Sequence, residues 1–188
     1  MSDLHTRFIA HLQDLAERDR GALAALRRSL AFDPGTHAPA MPWVEPFAVN
    51  DGSREPQRLA MYLIAGLFAT HPTHRVAAPL AQGLALVKLK RGSDSIERRF
   101  IALLGADAQS LPVHLRHAIA LLAAEELPCD FVLLADDLAR WLDPWQDEAR
   151  DRVRQRWARE FYRQLAKSDD ADAADTPDTT PTTQEILP

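Results

Sequence analysis

Residues 94–143 carry three helical patterns of apolar residues separated by short polar joints, and no other feature limits the possible folds as tightly. In the first, Ile96, Phe100, Leu103 and Leu104 recur at i, i+4, i+7 and i+8, the spacing of a helix with one buried stripe. Arg98 and Arg99 fall off that stripe. Asp94 or Ser95 is placed to cap the first turn, Glu97 suits its positive end, and Gly105 ends the helix. A second helix is predicted from Ser110, with Pro112 near its first position and Leu115, Ala118, Ile119 and Leu122 within one arc of the wheel. The third runs from Asp130 to Trp141, after the interruption at Leu127-Pro128. Short amphipathic helices cannot bury their stripes alone, so these three must pack on one another.

The same period recurs elsewhere. Residues 3–18 place Leu4, Phe8, Ile9, Leu12 and Leu15 on one face, and Asp19-Arg20-Gly21 breaks that helix. Residues 21–30 continue with Leu23, Leu26 and Leu30 buried, Arg27 beside the stripe and Arg28 about 100° further round toward solvent. Between 33 and 57, Pro34, Pro39, Pro42, Pro46 and Pro56 with Gly35 and Gly52 predict no persistent regular structure. Trp43, Val44 and Phe47 make that stretch a loop that packs. Helices are predicted at 58–69 and 78–90, the second closing on the basic run Lys88, Lys90, Arg91, which suits a helix carboxyl end. A long last helix is predicted from Asp143-Pro144 to Leu165, with Val153, Trp157, Phe161 and Leu165 on its apolar edge. Arg152, Arg156, Arg159 and Arg163 fall within an arc of roughly 60° on that helix. No alternating strand of useful length is present, so the fold class is all-α. Residues 168–188, rich in Asp, Thr and Pro, are expected to be a disordered acidic tail.

The formal net charge of -5 hides an uneven distribution, because Asp169, Asp170, Asp172, Asp175, Asp178 and Glu185 lie beyond Lys167 and no base does. The body up to Lys167 is nearly neutral. Within it, Arg75, Lys88, Lys90, Arg91, Arg98, Arg99 and Arg116 face only Asp94, Glu97 and Asp107, a local excess that a polyanion would feel. Arginine dominates, and its planar fork suits phosphate. A charge run is often only a solvated face, and the Arg152 to Arg163 stripe could equally pair with Asp147, Glu148, Asp151 and Glu160 or meet another subunit.

No apolar run is long enough to span a membrane, and the amphipathic amino terminus is unlike a signal peptide. With Cys129 the single cysteine, neither an internal disulfide nor a cysteine metal cluster is available, which points to a reducing cytoplasmic setting. The pairs His71/His74 and His114/His117 lack the further ligands of a metal motif and read as structural. Asp136-Asp137 and Glu125-Glu126 are adjacent pairs whose members point about 100° apart on a helix, so they do not converge. Neither a partner for Cys129 as nucleophile nor a glycine-rich phosphate loop is present. No catalytic residue, metal site or cofactor is predicted.

The succession IERRF…LL…LPxHLRxxxxLL…LxxDLxxW between Ile96 and Trp141 resembles the CasB family, the small subunit of the type I-E CRISPR Cascade complex. Further similar segments are GALAALRRSL at 21–30, LAQGLALVKL at 80–89 and VRQRWAREFY at 153–162. The tail and the proline-rich 33–57 segment fall outside them. The resemblance implies two small helical bundles, here 1–92 and 93–167, and no enzymatic activity. It implies a binding subunit present as a pair, contacting CRISPR RNA, target DNA and the CasA, CasC, CasD and CasE subunits, and helping to hold an R-loop open. Carried onto this sequence, the nucleic-acid role falls to Arg27, Arg28, Lys88, Lys90, Arg91, Arg98, Arg99 and Arg116. Such a subunit would meet phosphates and leave sequence reading to guide pairing. The alternative is a purely structural helical adaptor whose basic faces meet acidic faces of partner proteins. For the tail, composition favours a solvating role, and competition for the basic surface is the alternative.

Overall fold

The computed structural model describes residues 3–50 and 54–174, and among these it contains nine α-helices and a 3₁₀ turn at Ala38–Ala40. In chain order they are α1 (Asp3–Arg18), α2 (Arg20–Ser29), α3 (Met41–Asn50), α4 (Glu55–Thr70) and α5 (Leu80–Arg91). There follow α6 (Asp94–Leu104), α7 (Leu111–Ala124), α8 (Phe131–Trp141) and α9 (Asp147–Ala174). The all-α expectation holds.

α4 is buried on every side from Ala60 to Ala69, so it forms the centre that α2, α3, α7 and α8 cover. Its partners approach closely where side chains are absent: a Cβ added at Gly66 would lie 2.6 Å from Leu30 Cγ. α5 plays the matching part for α6, α7 and α9. Contacts of α4 with α8 and of α5 with α9 therefore cross the boundary expected at 92/93, which falls in the turn between α5 and α6. The buried side chains from Leu4 to Phe161 form a single apolar cluster.

The caps follow the local chemistry. Asp19 ends α1 and accepts from Ala22 N at 2.8 Å, opening α2. The cap of α6 is Ser93, one residue before the two candidates, its hydroxyl accepting from Ser95 N. Asp130 opens α8 by accepting from Leu133 N at 3.0 Å, and its other oxygen accepts from Ala77 N at 2.9 Å. His71 and His74 reach the carbonyls of Leu127 and Cys129, so the His-rich joint after α4 is pinned against the entry to α8.

One expectation is corrected. The 33–57 segment holds the 3₁₀ turn and α3. Pro42 sits in the first turn of α3, where a missing amide costs nothing, so the helix starts in spite of it. Pro46 lies inside the helix and has no amide to donate; tertiary contacts offset that loss. Val44 and Ala48 are buried, Phe47 packs edge-on to Phe8 at 5.3 Å, and Glu45 accepts from Tyr62 and Arg58 of α4. α9 runs to Ala174, so the acidic stretch begins on that helix, and 175–188 lies outside the described residues.

Candidate nucleic-acid interface

The eight basic residues singled out in the sequence separate into three groups by what their side chains touch. Arg27 donates twice to the carbonyl of Ala69, at 3.0 Å and 2.7 Å, and so ties α2 to the carboxyl end of α4. Arg116 on α7 is half-buried and donates to the carbonyl of Leu30, just past α2. Both satisfy the orphan carbonyls that every helix end presents. A carbonyl neutralises no charge, so both remain cationic, and Arg27 is still exposed.

Lys88, Lys90 and Arg91 form the second group. Lys88 meets Asp94 at 3.3 Å and makes a closer ion pair with Glu97, while Glu125 takes Lys90 at 2.7 Å and Arg91 at 2.6 Å. Three bases thus face three carboxylates. The Lys88 ammonium, with Tyr162 after it, holds Glu97 below the ordinary carboxylate range; Lys90 and then Arg91 do the same to Glu125. Both glutamates are therefore ionised at neutral pH, and the basic end of α5 presents little net charge.

Arg28, Arg98 and Arg99 are the third group. All are exposed and have no ion pair or side-chain hydrogen bond among the described residues. The two acids of α6, Asp94 and Glu97, both turn to Lys88, and neither forms an ion pair with Arg98 or Arg99. Arg99 lines a cavity of about 290 Å³ with His114 and His117 of α7.

The arginine stripe of α9 is mixed. Arg156 is locked to Asp137, which also accepts from Trp157 Nε1 at 2.8 Å, and Arg152 lies 3.5 Å from Glu148. Burial pushes Asp137 up, and Arg156 opposes that shift. Arg159 is exposed and unpaired among the described residues, which sequence periodicity alone could not separate from its neighbours. No group of three or more metal-ligating side chains is assembled among the described residues, and no described helix is long and apolar enough to cross a membrane. Cys129 is fully buried, and burial raises its thiol pKa well above the ordinary value.

Comparison with known proteins matches residues 22–162 to the family model of the CRISPR-associated protein Cse2. A protein of that description from Thermus thermophilus is 46% identical over 142 residues, covering 75% of this chain and 78% of its own. The crystal structure of a Cse2-family protein from the same organism superposes with a TM-score of 0.74 at 43% identity, covering 86% of this chain and 99% of that one. CasB from M. ruber gives 0.75 at 30% identity, covering 91% and 99%. A chain of a CRISPR RNA-guided surveillance complex shares the fold at 0.74 and 21% identity, covering 90% and 97%. The matched span holds all three unpaired arginines of the third group, together with the helices that present them, and the chain belongs to the CRISPR-associated Cse2 (CasB) family.

Proposed function

We propose that the chain is a non-catalytic small subunit of the type I-E Cascade complex that binds the backbones of CRISPR RNA and target DNA without sequence specificity and stabilises the R-loop. The observation that carries this reading is the exposed pair Arg98 and Arg99, which has no ion-pair partner among the described residues because both acids of α6 turn to Lys88. A protein related in fold is part of a CRISPR RNA-guided surveillance complex, which agrees with that role. R-loop exchange is nearly balanced, so a few backbone contacts shift it.

A second reading, a structural adaptor without nucleic-acid contacts, is favoured by a specific finding: five of the eight candidate bases already have intramolecular partners, Arg27 and Arg116 on carbonyls and Lys88, Lys90 and Arg91 on carboxylates. The free chain's affinity for a thymidine 30-mer separates the two. With Arg28, Arg98 and Arg99 as the contacts, log K falls against log salt with a slope of roughly -2 to -2.7, and binding is weak but measurable at about 50 mM salt. A chain that ignores both DNA and RNA at that salt yet enters the assembled complex establishes the adaptor reading instead.

A further inference from the structure

The cavity between α5, α6 and α7 is not used by the function above. It measures about 290 Å³, and its deep wall includes the buried side chains of Phe100 and Leu121. Exposed Arg99, Ala102 and His117 stand at its mouth with half-buried His114. Packed interiors leave few voids larger than a water molecule, so an apolar hollow of this size under the surface is room for a ligand group to enter. The size lies at the small end of ligand sites and suits a single ring system better than a whole cofactor.

The mouth carries the chemistry. His114, His117 and Leu121 recur at i, i+3 and i+7, so α7 turns both imidazoles to the side that walls the cavity, and α6 brings Arg99 to it. Neither histidine has a hydrogen bond or ion pair among the described residues, and Arg99 has none either. No carboxylate lines the cavity among the described residues. Imidazole and guanidinium faces are surfaces on which unstacked bases are held. The occupant these groups fit is flat, apolar on its faces and attached to an anion. An acidic side chain of a protein partner would meet the charge of Arg99 and leave the imidazole faces unused.

We propose that the α5–α6–α7 cavity takes one unpaired base of a single-stranded nucleic acid, held by its faces beside His114 and His117, with an adjoining phosphate on Arg99. This deepens the nucleic-acid reading and rests on it: Arg99 holds the backbone, and the cavity beside it holds a base. Every base has a π-face, so a site that works through faces takes any base, in keeping with binding that ignores sequence. Stacking of one base is worth roughly fivefold or more in affinity.

The test compares binding of the full-length chain to a thymidine 30-mer and to a 30-mer of abasic residues, which keeps the phosphates and removes the bases, at about 50 mM salt. The parent is expected to prefer thymidine by about fivefold or more, with the same salt slope for both polymers. Ala102→Phe fills the mouth from an exposed helix position and leaves Arg98 and Arg99 in place; it should erase the preference and keep the slope. On the unmodified chain, the thymidine polymer should shift the methyl NMR signals of Leu121 and the abasic polymer should not, with Leu12 of α1 as the control. Equal affinity of the parent for the two polymers, a preference that survives in folded Ala102→Phe, or Leu121 methyls unmoved by thymidine would overturn the base site. With the abasic polymer still bound, the backbone reading stands without it. A chain that binds neither polymer overturns both together.

Discussion

At the scale of single residues, a basic side chain's partner decides its role more than its position in the sequence does. Arg27 and Arg28 are exposed neighbours, yet only Arg27 is tied down, on the carbonyl of Ala69. The helical wheel anticipated their divergence, because a step of about 100° separates them. The wheel could not reveal that Arg116 would meet the carbonyl of Leu30 across 86 residues of chain. Arg116→Ala removes that donor from a half-buried carbonyl and should cost about 1–2 kcal/mol in urea denaturation. Arg28→Ala, fully on the surface, is expected to change stability by less than about 0.5 kcal/mol. Equal losses for the two variants would contradict the division drawn here between fold-holding and free arginines.

At the scale of elements, α4 governs the packing, and its small residues set how near its neighbours come. A Cβ at Gly66 would meet Leu30 Cγ at 2.6 Å, Leu30 Cδ2 at 2.7 Å and the backbone carbonyl of Leu26 at 3.1 Å. At Gly83 of α5 the only contact under 3 Å is the Cδ2 tip of Leu122, at 2.8 Å. A side-chain tip can rotate; a carbonyl of α2 cannot. Alanine is worth about 1 kcal/mol over glycine within a helix, whereas overpacking costs about 1–3 kcal/mol. Gly66→Ala should therefore destabilise by up to about 2 kcal/mol, and Gly83→Ala by distinctly less, as thermal or urea unfolding would measure. Most helices were legible from apolar period alone, since stripes such as Leu4, Phe8, Leu12 and Leu15 need no tertiary information. α3 was not, because its two prolines speak against a helix locally, and only packing on Phe8 and the Glu45 bonds to α4 reverse that.

At the scale of the whole molecule, charge is redistributed by the fold in a way that composition conceals. The sequence between Arg75 and Arg116 shows seven bases against three acids. Glu125, 34 residues after Arg91, closes onto it and Lys90. That long-range pairing is invisible to any local count, and of the eight candidate bases it leaves Arg28, Arg98 and Arg99 without a partner among the described residues. The central claim is that Arg98 and Arg99 act on phosphate within the assembled complex, and the most direct measurement is R-loop stability across salt with Arg98→Ala and Arg99→Ala combined. The account predicts normal incorporation of the variant, a less stable R-loop, and a dependence of log K on log salt shallower by about 1.4–1.8, the share of two lost phosphate contacts. Normal incorporation with stability and slope both unchanged would contradict it.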